Sequence, residues 1–268
     1  LYFGYSGTVL NIHAATAVLI DQGGAGGLVW VSMHPPNPCN KSDSHDLETG
    51  DFDDLFRPGT AVHAVWRAEL RRVARGLAEL KAAGVIVLWR PFHEMNGGWF
   101  WWGSHHEGKW LPPEQFRRLW QVTHQILTQE DDLDHLLWVY APNVNDGGTR
   151  QPADHYYPGA AWVDLTALDW YTDAPRWDDI RSSYGELARL GKPIGISEFG
   201  PAEGPFDNRQ FLDFLNESPQ PWAFFSYWHS WEGADVAIVD HPHAAELLLH
   251  PQVVNRGVQS SESAQPKP

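Results

Sequence analysis

An α/β fold, its parallel strands closed into an eightfold (β/α)8 TIM barrel, is what the sequence predicts, and three observations carry the prediction. Short apolar runs alternate with helix-like segments along the whole chain. Those runs are apolar at nearly every position, as strands buried on both faces must be. Polar residues gather where the runs end: Ser32 and His34, His93 and Glu94, Asn143, Asp169 and Tyr171, Glu198, Trp228 and His229. Polar groups at the C-terminal ends of many different strands mark a barrel mouth. An open doubly wound sheet would instead announce itself by a glycine-rich turn directly after its first strand. Here GGAGG (Gly23 to Gly27) follows a helix and precedes a strand, so it reads as a helix stop and turn.

In chain order, the expected strands are Leu1 to Ser6, Gly27 to Met33, Gly84 to Phe92, His135 to Pro142, Val163 to Tyr171, Lys192 to Phe199 and Trp222 to Ser230. The clearest helix runs from Ala61 to Ala83, with Val62, Val65, Trp66, Leu70, Val73, Leu77 and Leu80 near helical spacing and Gly84 as its stop. Further helices are expected at Pro113 to Gln129, Trp177 to Leu190 and Asp207 to Asn216, and AAELLLHPQVV reads as a last helix and its exit. This makes seven strands where a barrel needs eight. The expectation is that the first barrel strand lies upstream of Leu1, that Leu1 to Ser6 is the second, and that a gap lies beside Trp222 to Ser230. Residues 1–256 are read as a single catalytic barrel domain, and 257–268, polar and rich in Pro and Ser, as a tail or linker.

Composition removes several classes of function. Nineteen basic residues face 34 acidic ones, a net charge of -15, so neither nucleic acid nor an anionic membrane is an expected partner. The one basic cluster, RAELRRVAR (Arg67 to Arg75), reads as the wet face of a helix. Cys39 is the only cysteine, which excludes an internal disulfide and a Cys-based zinc cluster. No apolar run approaches the ~20 residues of a membrane-spanning helix. Tryptophan is unusually frequent, at 15. Some must be core, yet indole faces also suit sugar rings, apolar on their C–H faces and hydroxylated at their rims.

The densest chemistry lies in VLWRPFHEMNGGWFWWG (Val87 to Gly103), where Arg90, His93, Glu94 and Asn96 fall within seven positions. Glu94 ends one apolar strand and Glu198 ends another. Two carboxylates across a groove are the minimum apparatus for glycosidic cleavage, one protonated to serve the leaving oxygen and one ionised to attack or to activate water. HEMNG lacks the second histidine of a zinc helix, because Gly97 stands four positions after His93, so a zinc hydrolase is not expected; no other metal site and no cofactor is expected either. DFDD (Asp51 to Asp54) lacks calcium-loop spacing and reads as a solvated turn. Of Trp99, Phe100, Trp101 and Trp102, two are expected to anchor the loop in the core and at least one to face the groove. Tyr171 could pack, or could donate a hydrogen bond that keeps a neighbouring carboxylate ionised.

On WRPFHEMNGGWFWWG, ISEFG, VSMHPPNP and the order of strands, nearly the whole chain resembles glycoside hydrolase family 26, the β-mannanase family among the eightfold-barrel retaining glycosidases. The resemblance implies Glu94 as acid/base and Glu198 as nucleophile. It implies that His93 contacts the sugar or the nucleophile, that Trp99 stacks on the leaving-group side, that Tyr171 holds Glu198 and that Trp228 floors the site of cleavage. His34 and Arg90 would line or brace the glycone side. The implied activity is that of a retaining endo-β-1,4-mannanase acting on a β-linked polysaccharide, monomeric and secreted or periplasmic. A β-1,3-xylanase or mixed-linkage β-glucanase of the same family, and more remotely a non-catalytic carbohydrate-binding barrel, are the alternatives.

Overall fold

The computed structural model describes residues 2–3, 12–105, 109–145, 150–204, 206–230 and 233–254. Seven parallel strands form one sheet in chain order: β1 (Tyr2–Phe3), β2 (Val29–Met33), β3 (Val87–Pro91), β4 (Leu136–Tyr140), β5 (Leu165–Tyr171), β6 (Ile194–Gly200) and β7 (Phe225–Tyr227). Helices α1 (Ile12–Gly24), α2 (Ala61–Ala82), α3 (Pro113–Gln125), α4 (Trp177–Ala188), α5 (Asn208–Glu217) and α6 (Ala244–Leu248) fill the connections. Every expected strand and helix is present. β7 is shorter than its apolar run, and of the run Leu1 to Ser6 only Tyr2 and Phe3 are among the described residues. Between the edges of β1 and β7 no pairing exists among the described residues. The expected tail, 257–268, lies outside them.

Helix α2 illustrates how sequence sets an element. Thr60 caps it by accepting the N–H of His63 at 3.1 Å. Trp66, Leu70, Val73, Leu77 and Leu80 then bury one face, and Gly84, with φ of +72°, provides the left-handed exit at its end. Along β3 all five residues are buried, and they divide by parity. Val87 and Trp89 belong to the large core between sheet and helices, whereas Leu88 joins Val139, Ala141 and Ala167 in a second cluster on the other face. That second cluster is the lumen of the barrel.

Curvature of the sheet is evident from the reach of one side chain. In a flat sheet β3 and β6, three strand spacings apart, would lie about 14 Å from one another. Arg90 of β3 nonetheless donates hydrogen bonds to Ser32 on β2, to Asp169 on β5 and to Glu198 on β6. The strands must therefore curl around the guanidinium. An irregularity in β6 assists: Asp169 pairs with Glu198 and Leu168 with Ile196, which leaves Ser197 as an extra residue. Such a bulge turns two consecutive side chains toward the same side. Both Ser197 and Glu198 accordingly reach the lumen network.

Candidate active site

Glu94 leaves β3 on a tightly bent backbone. Phe92 and Glu94 both have φ of +53°, a left-handed conformation that non-glycine residues adopt only at a cost. The bend is pinned by the Glu94 N–H, which donates to the carbonyl of Ala141 at 2.8 Å. The carboxyl is 8% exposed and accepts from Asn143 Nδ2 at 2.5 Å and from Trp99 Nε1 at 2.8 Å. Burial and the charge of Glu198 push its pKa up to about 7, against the pull of those two donors and of Arg90. Glycine is required at position 97 because a Cβ there would lie 2.1 Å from the Trp99 ring, so the indole is seated flat on the turn. Asn96 locks the base of this turn: it donates to the carbonyls of Asn143 and Gln151 at 2.8 and 2.9 Å and accepts the Asn143 N–H at 2.8 Å.

Glu198 sits in different company. It is 5% exposed, accepts from Arg90 Nη2 on Oε1, and takes the Tyr171 hydroxyl on Oε2 at 2.8 Å. Arg90, 0% exposed, also grips Asp169 Oδ2 at 2.6 Å and Ser32 Oγ at 2.8 Å. Asp169 is in turn held by the Ser197 hydroxyl. Burial pushes the Asp169 carboxyl up while Arg90 pulls it down, and the Tyr171 phenol is raised by burial and by the neighbouring glutamates. The network is a fixed cation with an acid on either side.

His93 and His34 form a neutral pair beside it. Their Nε2 atoms are 2.9 Å apart, so one ring donates and the other accepts. Burial lowers His34 to about 3 and holds His93 well below the usual imidazole range, with the Arg90 charge acting in the same direction. His93 Nε2 stands 3.9 Å from Glu198 Oε1. Phe100 and Trp102, stacked at 4.2 Å, back both imidazoles.

Seven of the eight candidate site residues are thereby linked in one constellation: Glu94 with Trp99, and Glu198 with Arg90, Tyr171, His93 and, through His93, His34. Arg90 is a brace beneath the carboxylates, since its complete burial keeps it from lining a groove. Trp228 follows β7, donates its N–H to the carbonyl of Phe199 at 2.9 Å and stands half-buried beside the strand that carries Glu198. Phe100, Trp101 and Trp102 are all core and only Trp99 stays partly open, one more core anchor than expected. The acidic run 51–54 is no mere solvated turn: Asp51 caps a short 3-10 helix whose Phe52 and Leu55 are buried. Sequence reasoning noted Asn143, Asp169 and Ser32 as polar strand ends without giving them roles, and it passed over Ser197. His93, Asp169 and Glu198 place ligand atoms within 4.8 Å of one another, but the Arg90 guanidinium bridges the two carboxylates and already supplies the positive charge a metal would bring.

The sequence profile of glycosyl hydrolase family 26 matches residues 12–258. The chain belongs to this family. Within it, the chain is 34% identical over 252 residues to mannan endo-1,4-beta-mannosidase A and B of Caldalkalibacillus mannanilyticus, across 89% of this chain and 46% of that protein. It is 33% identical over 222 residues to a mannan endo-1,4-beta-mannosidase of Bacillus subtilis, across 81% of this chain and 60% of that one. The family 26 chain thus spans about half the length of these curated relatives. A solved Bacillus subtilis mannanase superposes with a TM-score of 0.80 at 28% identity, over 94% of this chain and 74% of its own. The seven strands are those of a (β/α)8 barrel, with the two glutamates at its C-terminal mouth.

Proposed function

We propose that this family 26 chain cleaves internal β-1,4 linkages of mannan-type polysaccharides by double displacement, with retention of anomeric configuration. The single observation that carries the reading is the contrast between two buried carboxyls in one network. Glu94, with a pKa of about 7, keeps its proton in a large fraction of molecules near neutral pH and can deliver it to the glycosidic oxygen. Glu198 receives a cationic and a phenolic donor, which suits an anionic nucleophile. As Glu198 forms the glycosyl ester, Glu94 passes its proton to the departing oxygen, and loss of the Glu198 charge lowers the Glu94 pKa so that it stays ionised. It can then act as base on the incoming water. Trp99 orients Glu94 and, partly open beside the Arg150 guanidinium 5.4 Å from its ring centroid, would meet the leaving-group sugar, while the neutral, nearly buried His34 and His93 would stand on the glycone side. Trp228 would form the floor beside Glu198. The mannan preference is supported by the relatives' activities. A polymeric substrate that cannot cross a membrane supports a secreted or periplasmic location, and the strongly negative net charge supports a monomer.

Reducing-sugar release from mannan, β-1,3-xylan and mixed-linkage β-glucan, measured in parallel, tests the substrate. Mannan should be cleaved fastest, and faster cleavage of either other glycan overturns the assignment. Glu198→Ala should lose several powers of ten on every substrate. Glu94→Ala should fail on mannan but keep turnover of aryl mannosides whose leaving group needs no proton. Proton NMR of the first product should show the β anomer; an α anomer excludes double displacement.

A further inference from the structure

The Arg67 to Arg75 segment, which by sequence is only the wet face of a helix, lines a groove. It runs between the outer face of α2 and the loop that follows β2, has a volume of about 560 Å³, and carries Lys41 on one wall and Arg71, Arg72 and Arg75 on the other. Pro36, Pro38 and Val65 supply apolar surface between them. Glu69 is the only acid among the lining residues, and Arg72 holds it, through Nε at 2.9 Å and Nη2 at 2.5 Å. Lys41, Arg71 and Arg75 form no ion pair among the described residues, and all three are exposed. Arg71 feels the charge of the nearby Asp131, yet in a chain where 34 acids outnumber 19 bases, three exposed cations outside any ion pair among the described residues are unexpected on one groove.

The backbone that carries these cations is well held. Arg71 and Arg75 are one helical turn apart, so their side chains rise from the same face of α2. Lys41 is held opposite them by a loop organised around Asn37, which is fully buried. The Asn37 carbonyl accepts the Lys41 N–H at 2.8 Å, and its side chain donates to the carbonyls of Asp46 and Glu48 at 2.7 and 3.2 Å. Two positive walls about an apolar strip suit a chain molecule with regularly spaced carboxylates and apolar ring faces.

We propose that this groove is a secondary, non-catalytic binding site for a carboxylated polysaccharide, a linear uronate-bearing glycan. It would hold the enzyme on acidic polymer while the cleft cuts neutral polymer. The proposal rests on the reading of the chain as a polysaccharide hydrolase for its biological sense, but not for its test, since retention on a polyanion needs no turnover.

Native affinity electrophoresis in gels containing polygalacturonate at low salt measures retention directly. The wild-type chain should be retarded, less so as salt is added. A Lys41→Gln, Arg71→Gln, Arg75→Gln variant should bind at least about tenfold more weakly, as expected for three exposed charge contacts. Arg176→Gln, Arg181→Gln, Arg189→Gln, on α4 and at its two caps, removes the same charge from another face and should retain as wild type does. Unfolding midpoints confirm that both variants fold. No retardation of wild type, or equal weakening by the two triple variants, overturns the proposal. Stronger retention on poly-glutamate than on polygalacturonate also overturns it and assigns the groove to an acidic polypeptide.

Discussion

Glu94 and Glu198 are the same residue type at the ends of two strands of one sheet, yet little else about them is alike. Glu94 stands on a strained left-handed turn and is met by two neutral donors, an indole and an amide. Glu198 stands in a bulged strand and is met by a guanidinium and a phenol. Burial is nearly equal at the two sites, so it cannot be what separates their chemistry. Partner charge does. Arg90 reaches Glu198 by a direct hydrogen bond, whereas it acts on Glu94 only through its field, as the last of the causes moving that group. On the proposed reading, one cation placed off-centre between two carboxyls helps to divide an acid from a nucleophile.

Removing the cation should break the contrast most severely. Arg90→Met leaves Asp169 and Glu198 buried and facing each other without a counter-charge. Its unfolding free energy in urea should fall by about 3–5 kcal/mol. A loss below about 1 kcal/mol would mean that the guanidinium does not hold the network together.

A smaller effect isolates the other carboxyl. Glu94 rises from 4.5 to about 7 on folding, so between those values the native chain binds more protons than the unfolded one. Stability contributed by the neutral form is present at low pH and is lost as pH climbs through about 7. Glu94→Gln keeps the shape without the titration. It should therefore gain on the order of 2 kcal/mol relative to wild type between pH 5 and pH 8. Parallel stability curves for the two proteins across that range would show that Glu94 is not perturbed.

Trp99→Phe makes the finest cut. It removes the indole N–H that favours ionised Glu94, so the alkaline limb of the rate profile should move up by about half a unit. Movement downward would show that the indole serves the neutral acid instead.

The strand order and the two glutamates were legible in the sequence for a simple reason: apolar runs and the residues that end them are local patterns. WRPFHEMNGGWFWWG even carries the close approach of Gly97 to Trp99 within its own span. What the sequence hid is whatever depends on curl and register. Asn143 meets Glu94 across 49 residues of chain, and Arg90 meets Glu198 across 108. Ser197 would point away from the lumen in a regular strand, and only the bulge turns it inward. The aromatic run misled in degree, because Trp101 and Trp102 bond backbone carbonyls at Pro35 and His93, partners that no local pattern reveals. The proline loop beside α2 was equally silent, since a groove needs two walls and the sequence presents them thirty residues apart.

The paired left-handed residues Phe92 and Glu94 have a meaning for anyone who would harden this protein against heat. Each position holds back about 1–2 kcal/mol that a relaxed backbone would return. Stability screens favour relaxing changes, so they are expected to converge on this turn and to reward variants that straighten it. Those variants would aim the Glu94 carboxyl away from Trp99 and Asn143, its two fixed partners. The tension is the instrument's tuning, and thermal improvement belongs on the outer helices, well away from residues 92–94.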